Sequence, residues 1–236
     1  AIDQALLDAA EEGLAVLRLY RWDPPCLSFG RNEPALRRYD HARIDALGLD
    51  VVRRPTGGRA VWHEHELTYA VACPAACFGD LRTAYRRIHE MLAEAVASLG
   101  AVPALADAPA GALALDRGAC FAAPAGGEVL LRGRKVVGSA QVRQGGAMLQ
   151  HGSLLLAGSQ AVVEAVTAGQ APPGGETSLA DALGQPVAFD EAAAAIARAA
   201  RKWSAAWTEG PPPDELLARA AAHELHFRSV AWTWRR

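Results

Sequence analysis

The sequence predicts an α+β fold, a mixed or antiparallel β-sheet core with flanking helices, on two observations. Strand-like alternation of apolar and polar residues dominates the first two thirds of the chain, whereas helical spacing dominates the last third. Runs of strands followed by runs of helices are typical of α+β proteins rather than of doubly wound sheets. Because the 236 residues contain no internal repeat and no clear linker, we expect one domain over residues 1–236, with a helical C-terminal portion over about 157–236.

Periodicity and turn residues define each element in order. Helical spacing of apolar residues predicts helices over residues 1–14, 40–47, 81–99, 160–168, 190–208 and 214–227. Alternating or β-branched residues predict strands over residues 15–22, 26–30, 50–54, 60–63 and 67–73. A three-strand meander is expected over residues 127–156, whereas the Ala-, Pro- and Gly-rich residues 101–117 are expected to be irregular. Residues from 210 onward contain no motif that indicates a role.

Composition excludes several classes of protein. The net charge is −2 and the charges are interspersed, so the chain lacks the basic surface of a nucleic-acid-binding protein. The sequence shows no uncharged apolar run long enough to cross a bilayer and no recognisable leader. Two of the four cysteines, Cys73 and Cys77, have a CxxxC spacing that no second Cys or His pair completes, so no metal site is predicted. We therefore expect a cytoplasmic protein with free thiols and without nucleic-acid or membrane partners.

Residues 52–63 carry the strongest indication of a ligand site. Two arginines, Arg53 and Arg54, precede a Pro-Thr-Gly-Gly-Arg turn that ends at Arg59. Glycines let the backbone turn sharply and expose N–H groups, and neighbouring guanidinium forks suit anionic or carbonyl-bearing ligands. A hairpin turn with solvated arginines is the alternative that this stretch leaves open.

Two later segments place polar residues inside apolar strands. In GRKVVGSAQVR, Lys135 begins a strand and Gly138 marks a bulge or a close approach of another backbone segment or a ligand. In LQHGSLLL, His151 and Ser153 must find partners or line a cavity. A solvated hairpin lysine and a structural histidine are the alternatives.

Cys120 lies in the small-residue segment GACFAAP. A cysteine taken alone is usually a small buried hydrophobe, and reactivity requires a lowered thiol pKa, for example from a nearby lysine. Lys135 follows fifteen residues later, across one expected strand, so a hairpin could return it to this segment.

Three segments resemble the lipoate ligase, biotin ligase and octanoyltransferase superfamily: RRPTGGRAVWHEHELTYAV, GRKVVGSAQVRQGGAMLQHGSLLL and TSLADALGQPVAFDEAAAAIA. The first two are highly specific together. The similarity runs from the first helix to about residue 207, although the strand expected before that helix is missing. It implies a biotin/lipoate protein ligase-like catalytic domain.

The resemblance implies one of two reactions on this fold. Ligases activate lipoate with ATP and Mg as an adenylate, whereas octanoyltransferases take the chain from octanoyl-acyl-carrier protein. Three features favour a cysteine-dependent octanoyltransferase: the ACFAAP segment with Lys135, a Gly-Gly-Arg turn where ligases show three glycines, and the short C-terminal tail. The implied acceptor is a lysine of a lipoyl domain or a glycine cleavage H-type carrier protein, and no cofactor is expected. A lipoate-protein ligase, an amidotransferase between carrier domains and a non-catalytic acyl binder are the alternatives.

The resemblance also implies roles for individual residues. Cys120 would carry the acyl chain as a thioester, and Lys135 would favour the thiolate and then act as a base toward the acceptor amine. Backbone N–H groups near Cys120 or at 138–140 would stabilise the oxyanion, and apolar strand faces would hold the chain. The expected substrate-binding residues are Arg53, Arg54, Thr56, Gly57, Gly58, Arg59, Ala60, His63, Gly138, Ser139, Ala140, Gln141, His151, Gly152 and Ser153.

Overall fold

The computed structural model describes residues 1–107, 126–169 and 174–235. Its strands are β1 (Val16–Tyr20), β2 (Cys26–Phe29), β3 (Asp50–Arg53), β4 (Val61–His63), β5 (Glu66–Pro74), β6 (Pro103–Leu105), β7 (Val129–Leu131), β8 (Arg134–Lys135), β9 (Val137–Gln144) and β10 (Ala147–Leu155). Its helices are α1 (Ile2–Glu11), α2 (Ala35–Arg38), α3 (His41–Ala46), α4 (Leu81–Ser98), α5 (Ala161–Val166), α6 (Leu179–Leu183), α7 (Phe189–Ala200), α8 (Asp214–Phe227) and α9 (Val230–Thr233). The predicted α+β class is confirmed.

The largest sheet has four antiparallel strands in the order β1-β5-β10-β9. In β10, His151 lies opposite Ala70 of β5 and Ala140 of β9. Because successive side chains of a strand point to opposite faces, His151 projects to one face of this sheet and Gln150 to the other. Two three-stranded sheets accompany it, β3-β2-β4 with β2 and β3 parallel, and the antiparallel sheet β6-β7-β8.

Helices cover both faces of the four-stranded sheet. On one face α4 packs against α7, and on the other α1 packs against α8. The sequence of α4 explains its position, because Asp80 caps its first turn by accepting from the Thr83 N–H at 2.7 Å. Its buried side chains then recur at helical spacing along one face: Ala84, Ile88, His89, Met91, Leu92, Ala95 and Val96. One polar residue, His89, therefore lies within an apolar face.

The expected three-strand meander is wrong in one respect, because its first hairpin lies in a different sheet. Val136 separates the two sheets. Its N–H donates to the Val129 carbonyl, and its own carbonyl accepts from the Leu155 N–H, both at 3.1 Å. The chain thus leaves the β7-β8 hairpin and enters the large sheet within one residue, a change that alternation of apolar residues does not encode.

Other differences concern short elements. The segment expected to be irregular, 101–117, contains β6 in its described part, while residues 108–117 lie outside the described residues. The helix expected over 190–208 ends at Ala200 and continues as one 3₁₀ turn, Arg201–Trp203. Periodicity did not predict α2, α6 and α9, since helices of four or five residues are too short to show it.

Arg53 connects the C-terminal segment to the rest of the fold. Its side chain is 1% exposed, and the Trp232 indole N–H donates to its backbone carbonyl at 3.0 Å. Its guanidinium donates to five backbone carbonyls, those of Gly30, Arg31, Glu33, Thr233 and Arg235. The C-terminal residues, which contain no interpretable motif, are therefore held in place by Arg53.

In the described residues after Ala157, every named element is a helix. The single-domain organisation stays a prediction. Within the three described ranges, no helix is both long and apolar enough to cross a membrane.

Replacing Arg53 by Lys should lower the free energy of unfolding by about 3 kcal/mol, because one ammonium cannot serve five separated carbonyls and several would be left buried without a donor. Amide hydrogen exchange should accelerate over residues 214–235. Arg37→Lys, on the exposed end of α2, is the control. Equal melting temperatures and exchange rates for the two variants would contradict this role for Arg53.

Candidate functional site

The Arg54 side chain fixes the double-glycine turn through hydrogen bonds to backbone carbonyls of the turn. One guanidinium nitrogen donates to the Ser28 carbonyl at 2.8 Å, and the other donates to the carbonyls of Gly57 at 3.2 Å and Arg59 at 2.8 Å. The side chain is buried. The solvated-arginine alternative is therefore wrong for Arg54, as it is for Arg53, and both groups organise backbone rather than project into solvent.

The turn also packs directly on the end of β2. A Cβ on Gly30 would lie 1.8 Å from the Gly58 carbonyl oxygen, so only glycine fits there. The Arg31 N–H donates to the Thr56 carbonyl at 2.7 Å, and Gly58 has a φ of +85°. These contacts hold the turn in one conformation beside the large sheet.

A cavity of about 420 Å³ lies against the α1 face of the large sheet. Its walls come from the start of α1, from β1 and the residues after it, from the segment that precedes the turn, and from the end of α8. Its floor consists of β9 and β10 at the level of His151 and Ser153. The volume falls within the range of about 300–1,000 Å³ that is typical of small-molecule sites.

The structure brings nine of the predicted substrate-binding residues to this cavity: Arg53, Arg54, His63, Gly138, Ser139, Ala140, His151, Gly152 and Ser153. The remaining six are not among the described lining residues: Thr56, Gly57, Gly58, Arg59, Ala60 and Gln141. Two of these six have other surroundings. Ala60 is fully buried in the core around β2, and Gln141 donates to the Leu81 carbonyl and to Gln150 on the α4 side.

His151 connects the cavity floor to α1 and to the turn. Its Nδ1 lies 2.6 Å from the Asp3 carboxylate and its Nε2 lies 2.5 Å from the Thr56 hydroxyl. Burial alone would raise the pKa of Asp3, but the hydrogen bond and charge of His151, together with Arg18, lower it. The carboxylate therefore fixes the tautomer that has its proton on Nδ1, which turns Nε2 toward Thr56.

His63, which also lines the cavity, forms a second chain of this kind. Its Nδ1 contacts Glu66 at 2.7 Å, its Nε2 contacts the Ser28 hydroxyl at 2.6 Å, and the Trp22 ring stacks on it with centroids 4.5 Å apart. The Thr68 hydroxyl donates to the same Glu66 oxygen and accepts from the Trp22 indole at 3.0 Å. The imidazole is thus held on three sides.

Ser153 differs from these residues because its hydroxyl is buried without a hydrogen-bond partner among the described residues. It is 1% exposed, lines the cavity, and lies opposite Thr68 and Gly138 in the sheet. A buried polar atom without a partner is costly unless a bound molecule supplies one. The Ser153 hydroxyl is therefore oriented for a polar group of a ligand.

A third polar chain lies on the α4 side of the sheet. Gln150 donates to the Tyr69 hydroxyl at 2.9 Å, Tyr69 contacts the Ser139 hydroxyl at 2.6 Å, and Ser139 contacts His89 Nε2 at 2.8 Å. His89 Nδ1 faces the Gly127 carbonyl at 2.8 Å, which can only accept. The proton of neutral His89 is therefore on Nδ1, and Ser139 donates to Nε2.

Burial lowers the pKa of His89 to about 4; the Gly127 carbonyl opposes this shift and the nearby charge of Lys135 adds to it. Lys135 itself is 3% exposed, so the solvated-lysine alternative is wrong. Its ammonium lies 2.6 Å from Glu128, and it is not among the described residues that line the cavity.

Cys120, the predicted thioester residue, lies outside the described residues. The other three cysteines are free thiols. Burial raises the pKa of Cys26 and of Cys73 to about 12, so both are inert at neutral pH, and Cys77 is exposed. Among the residues that the structure describes, no three His, Cys, Asp or Glu side chains are grouped so that they could hold a metal ion.

Sequence reasoning did not single out several residues of these chains, among them Asp3, Glu66 and His89, nor Glu128, the partner of Lys135. His89 left a signal, because it falls on the apolar face of the helix predicted over residues 81–99, three residues before Leu92. The other three lie at or beside the start of an element, where periodicity carries little information, and Asp3 contacts His151, 148 residues away.

Comparison with known proteins gives consistent matches. Residues 1–201 match the family described as the lipoyl protein ligase A/B catalytic domain. A protein of Lysinibacillus sphaericus named Octanoyltransferase LipM is 41% identical over 167 residues, which are 66% of this chain and 60% of that protein. One of Symbiobacterium thermophilum with the same name is 37% identical over 216 residues, 84% of this chain and 78% of that protein. The chain thus spans about three fifths of the first of these relatives.

Solved structures share the fold. Lipoate-protein ligase A bound with ATP superposes with a TM-score of 0.82 and 19% identity, over 99% of this chain and 91% of that one. The bi-partite lipoate protein ligase of Thermoplasma acidophilum, solved with its E2 lipoyl domain, superposes with a TM-score of 0.74 at 19% identity over 99% and 91% of the two chains. At these identities the likeness shows the fold alone.

The hydroxyls of Ser153 and Thr68, which lie opposite each other in the sheet, should differ in their effect on stability when each is removed. Ser153→Ala should leave the melting temperature unchanged or raise it, because no hydrogen bond is lost. Thr68→Val should lower the free energy of unfolding by about 1–3 kcal/mol, because it removes the hydrogen bond to Glu66 and leaves the Trp22 indole N–H without its acceptor. Thermal unfolding of both variants checks this. A larger loss for Ser153→Ala than for Thr68→Val would show that Ser153 has a structural partner.

His89 should make stability depend on pH between about 6.5 and 4. The pKa of His89 is lower in the folded protein than in the unfolded chain, so the unfolded chain binds the proton first as the pH falls. The contribution of neutral His89 to the free energy of unfolding is therefore fully present above pH 6.5 and is lost as the pH falls toward 4. The loss should be roughly 3 kcal/mol. Urea unfolding of the wild type and His89→Gln at pH 7, 6, 5 and 4.5 measures it, and parallel curves for the two proteins would contradict the neutral buried state.

Proposed function

We propose that this chain, which belongs to the lipoyl protein ligase A/B catalytic-domain family, is an octanoyltransferase of protein lipoylation. It would move the octanoyl chain from octanoyl-acyl-carrier protein to a lysine of a lipoyl domain or of a glycine cleavage H-type carrier protein. The observation that carries the proposal is the identity of 37–41% to relatives named Octanoyltransferase LipM. The solved complex of a similar fold with an E2 lipoyl domain supports a lipoyl carrier as acceptor.

The cavity supports an acyl substrate. Apolar and backbone groups provide much of its wall, and each methylene buried there contributes about 0.8 kcal/mol. Polar groups occur on the walls, for example Arg18, Arg21 and Arg228, and on the floor, where the unpartnered Ser153 hydroxyl and the His151 chain lie. A ligand with a polar head and a hydrocarbon chain would find partners for both parts in this lining. The carbonyl would lie toward Ser153 and the chain toward the apolar wall.

The proposed reaction uses Cys120 as nucleophile and Lys135 as its basic partner. A free thiol has a pKa of about 8.5, so a nearby ammonium is needed to hold more of it as thiolate at neutral pH. Attack on the donor thioester would transfer the octanoyl group to sulfur, and the acceptor amine would then displace the sulfur. No cofactor takes part in this sequence.

The ATP-dependent ligase is the second candidate, because lipoate-protein ligase A with ATP shares the fold. One observation disfavours it. The guanidinium groups of Arg53 and Arg54 donate to backbone carbonyls, which leaves fewer donors beside the turn for a triphosphate. An amidotransferase between carrier domains would use the same thioester and is distinguished by its donor.

We also propose a cytoplasmic location, which the unbridged Cys26, Cys73 and Cys77 support.

Incubation with octanoyl-acyl-carrier protein should give an octanoyl adduct on the protein, detected by intact mass spectrometry and released by hydroxylamine. Cys120→Ala should abolish both the adduct and transfer to a lipoyl domain. Cys77→Ala, which removes an exposed thiol, is the matched control and should retain both. Transfer that persists in Cys120→Ala would refute the thioester mechanism.

A further inference from the structure

The Ser153 hydroxyl is a buried polar group that the fold leaves for a ligand. The residue is 1% exposed and lines the cavity, and its hydroxyl oxygen has no hydrogen-bond partner among the described residues. Its place in the sheet explains part of this. Gly138 of β9 lies directly opposite Ser153 and brings no side chain that could bond to the hydroxyl.

The hydroxyl on the other side of Ser153 is already engaged. Thr68 of β5 lies opposite Ser153, and its hydroxyl donates to Glu66 while it accepts from the Trp22 indole N–H at 3.0 Å. A hydroxyl group has a single proton, so Thr68 has none left for Ser153 or for a ligand.

The other two polar side chains that β9 and β10 bring to the cavity are engaged as well. His151 contacts Asp3 through one ring nitrogen and Thr56 through the other. The Ser139 hydroxyl is bonded on both sides to groups that lie toward α4. In the part of the cavity floor that the structure describes, the Ser153 hydroxyl is therefore the side-chain donor that remains for a bound molecule.

A single neutral donor suits a neutral acceptor. One donated hydrogen bond satisfies the carbonyl oxygen of a ketone, a thioester or an amide. A carboxylate has a full charge shared by two oxygens, and its burial with one hydroxyl donor costs much more free energy than the burial of a carbonyl. The floor therefore fits an acyl group whose carbonyl carries no charge.

Five arginines line the cavity, and the structure gives each of them partners within the protein. Arg53 and Arg54 donate to backbone carbonyls. The other three face acidic side chains: Arg18 lies 3.3 Å from Asp3, Arg21 lies 4.0 Å from Asp190 and Arg228 lies 3.5 Å from Glu224. The side chains of Arg21 and Arg228 are 61% and 79% exposed, so they lie toward solvent and not beside the buried Ser153.

We propose that Ser153 is a specificity-determining residue, whose hydroxyl donates to the carbonyl oxygen of the acyl group and makes the cavity prefer a neutral acyl derivative, such as a thioester, to the free carboxylate. This inference rests on the proposed function and names the chemical form in which that site takes its substrate. A free fatty acid of the same length would have to bury its charge beside one hydroxyl.

Two small ligands test this preference without turnover. Nonan-2-one has the chain and carbonyl of octanoate, with a methyl group in place of the charged oxygen. Isothermal titration calorimetry at about pH 7.5, where octanoate is ionised, should show the wild-type protein binding the ketone about tenfold more tightly than octanoate. Ser153→Ala should weaken ketone binding about tenfold, because the carbonyl oxygen is left buried without a donor, and should change octanoate binding by less than about twofold.

Ser159→Ala is the matched control, because it removes the hydroxyl of an exposed serine that follows β10 and is not among the described lining residues. It should bind both ligands as the wild type does. Thermal unfolding of Ser153→Ala checks that this variant is folded.

Equal binding of the two ligands by the wild type, or unchanged ketone binding in Ser153→Ala, would overturn the role of Ser153. Transfer from octanoyl-acyl-carrier protein, measured in parallel, would then still support the proposed function. A wild-type protein that binds neither ligand would also overturn the inference, and if that protein transfers no octanoyl group, the proposed function fails with it.

Discussion

Satisfaction of buried backbone carbonyls by two adjacent arginines is the constraint on which the site depends. Arg53 binds the end of β2 to the C-terminal segment, and Arg54 binds β2 to the double-glycine turn. Buried carbonyls without donors would cost roughly 1–3 kcal/mol each, so these bonds determine where the turn lies. Its position brings Thr56 to His151, and that contact links the turn to the floor of the cavity. The arginines therefore hold the backbone around the cavity, whose wall they also line.

Alternation along β9 and β10 divides the chemistry between the two faces of the sheet. His151 and Ser153 face the cavity on the α1 side, whereas Ser139 contacts Tyr69 and His89 on the α4 side. Gly152 leaves room for the Ser139 and Tyr69 side chains to meet directly behind His151 and Ser153. A Cβ there would lie 2.7 Å from the Ser139 hydroxyl oxygen and 2.8 Å from the Tyr69 ring. The glycine of the His-Gly-Ser segment thus allows one polar network to lie directly behind the other.

The sequence predicted the class, the long elements and nine of the residues that line the cavity. Strong periodicity located α4 and α8 within one residue at each end, and the segments around Gly57 and Gly138 do lie close together, since the Cβ of Ala140 lies 3.6 Å from an ideal Cβ on Gly58. It does not reveal contacts between residues far apart along the chain. Arg53 lines the cavity, and the sequence gives no sign that its guanidinium also donates to the carbonyl of Thr233, 180 residues away. Ala60, predicted from its place in the motif, instead packs in the core.

The central claim is that the acyl chain enters as a carrier thioester and not as a free acid activated by a nucleotide. One donor-preference assay tests it most directly: the protein and a lipoyl domain receive either octanoyl-acyl-carrier protein alone or octanoate with Mg-ATP, and pyrophosphate and octanoyl-lipoyl domain are measured in both. An octanoyltransferase should give product from the carrier thioester without nucleotide, and neither product nor pyrophosphate from the free acid. Product that appears only with Mg-ATP, together with pyrophosphate, would contradict it and identify an adenylating ligase.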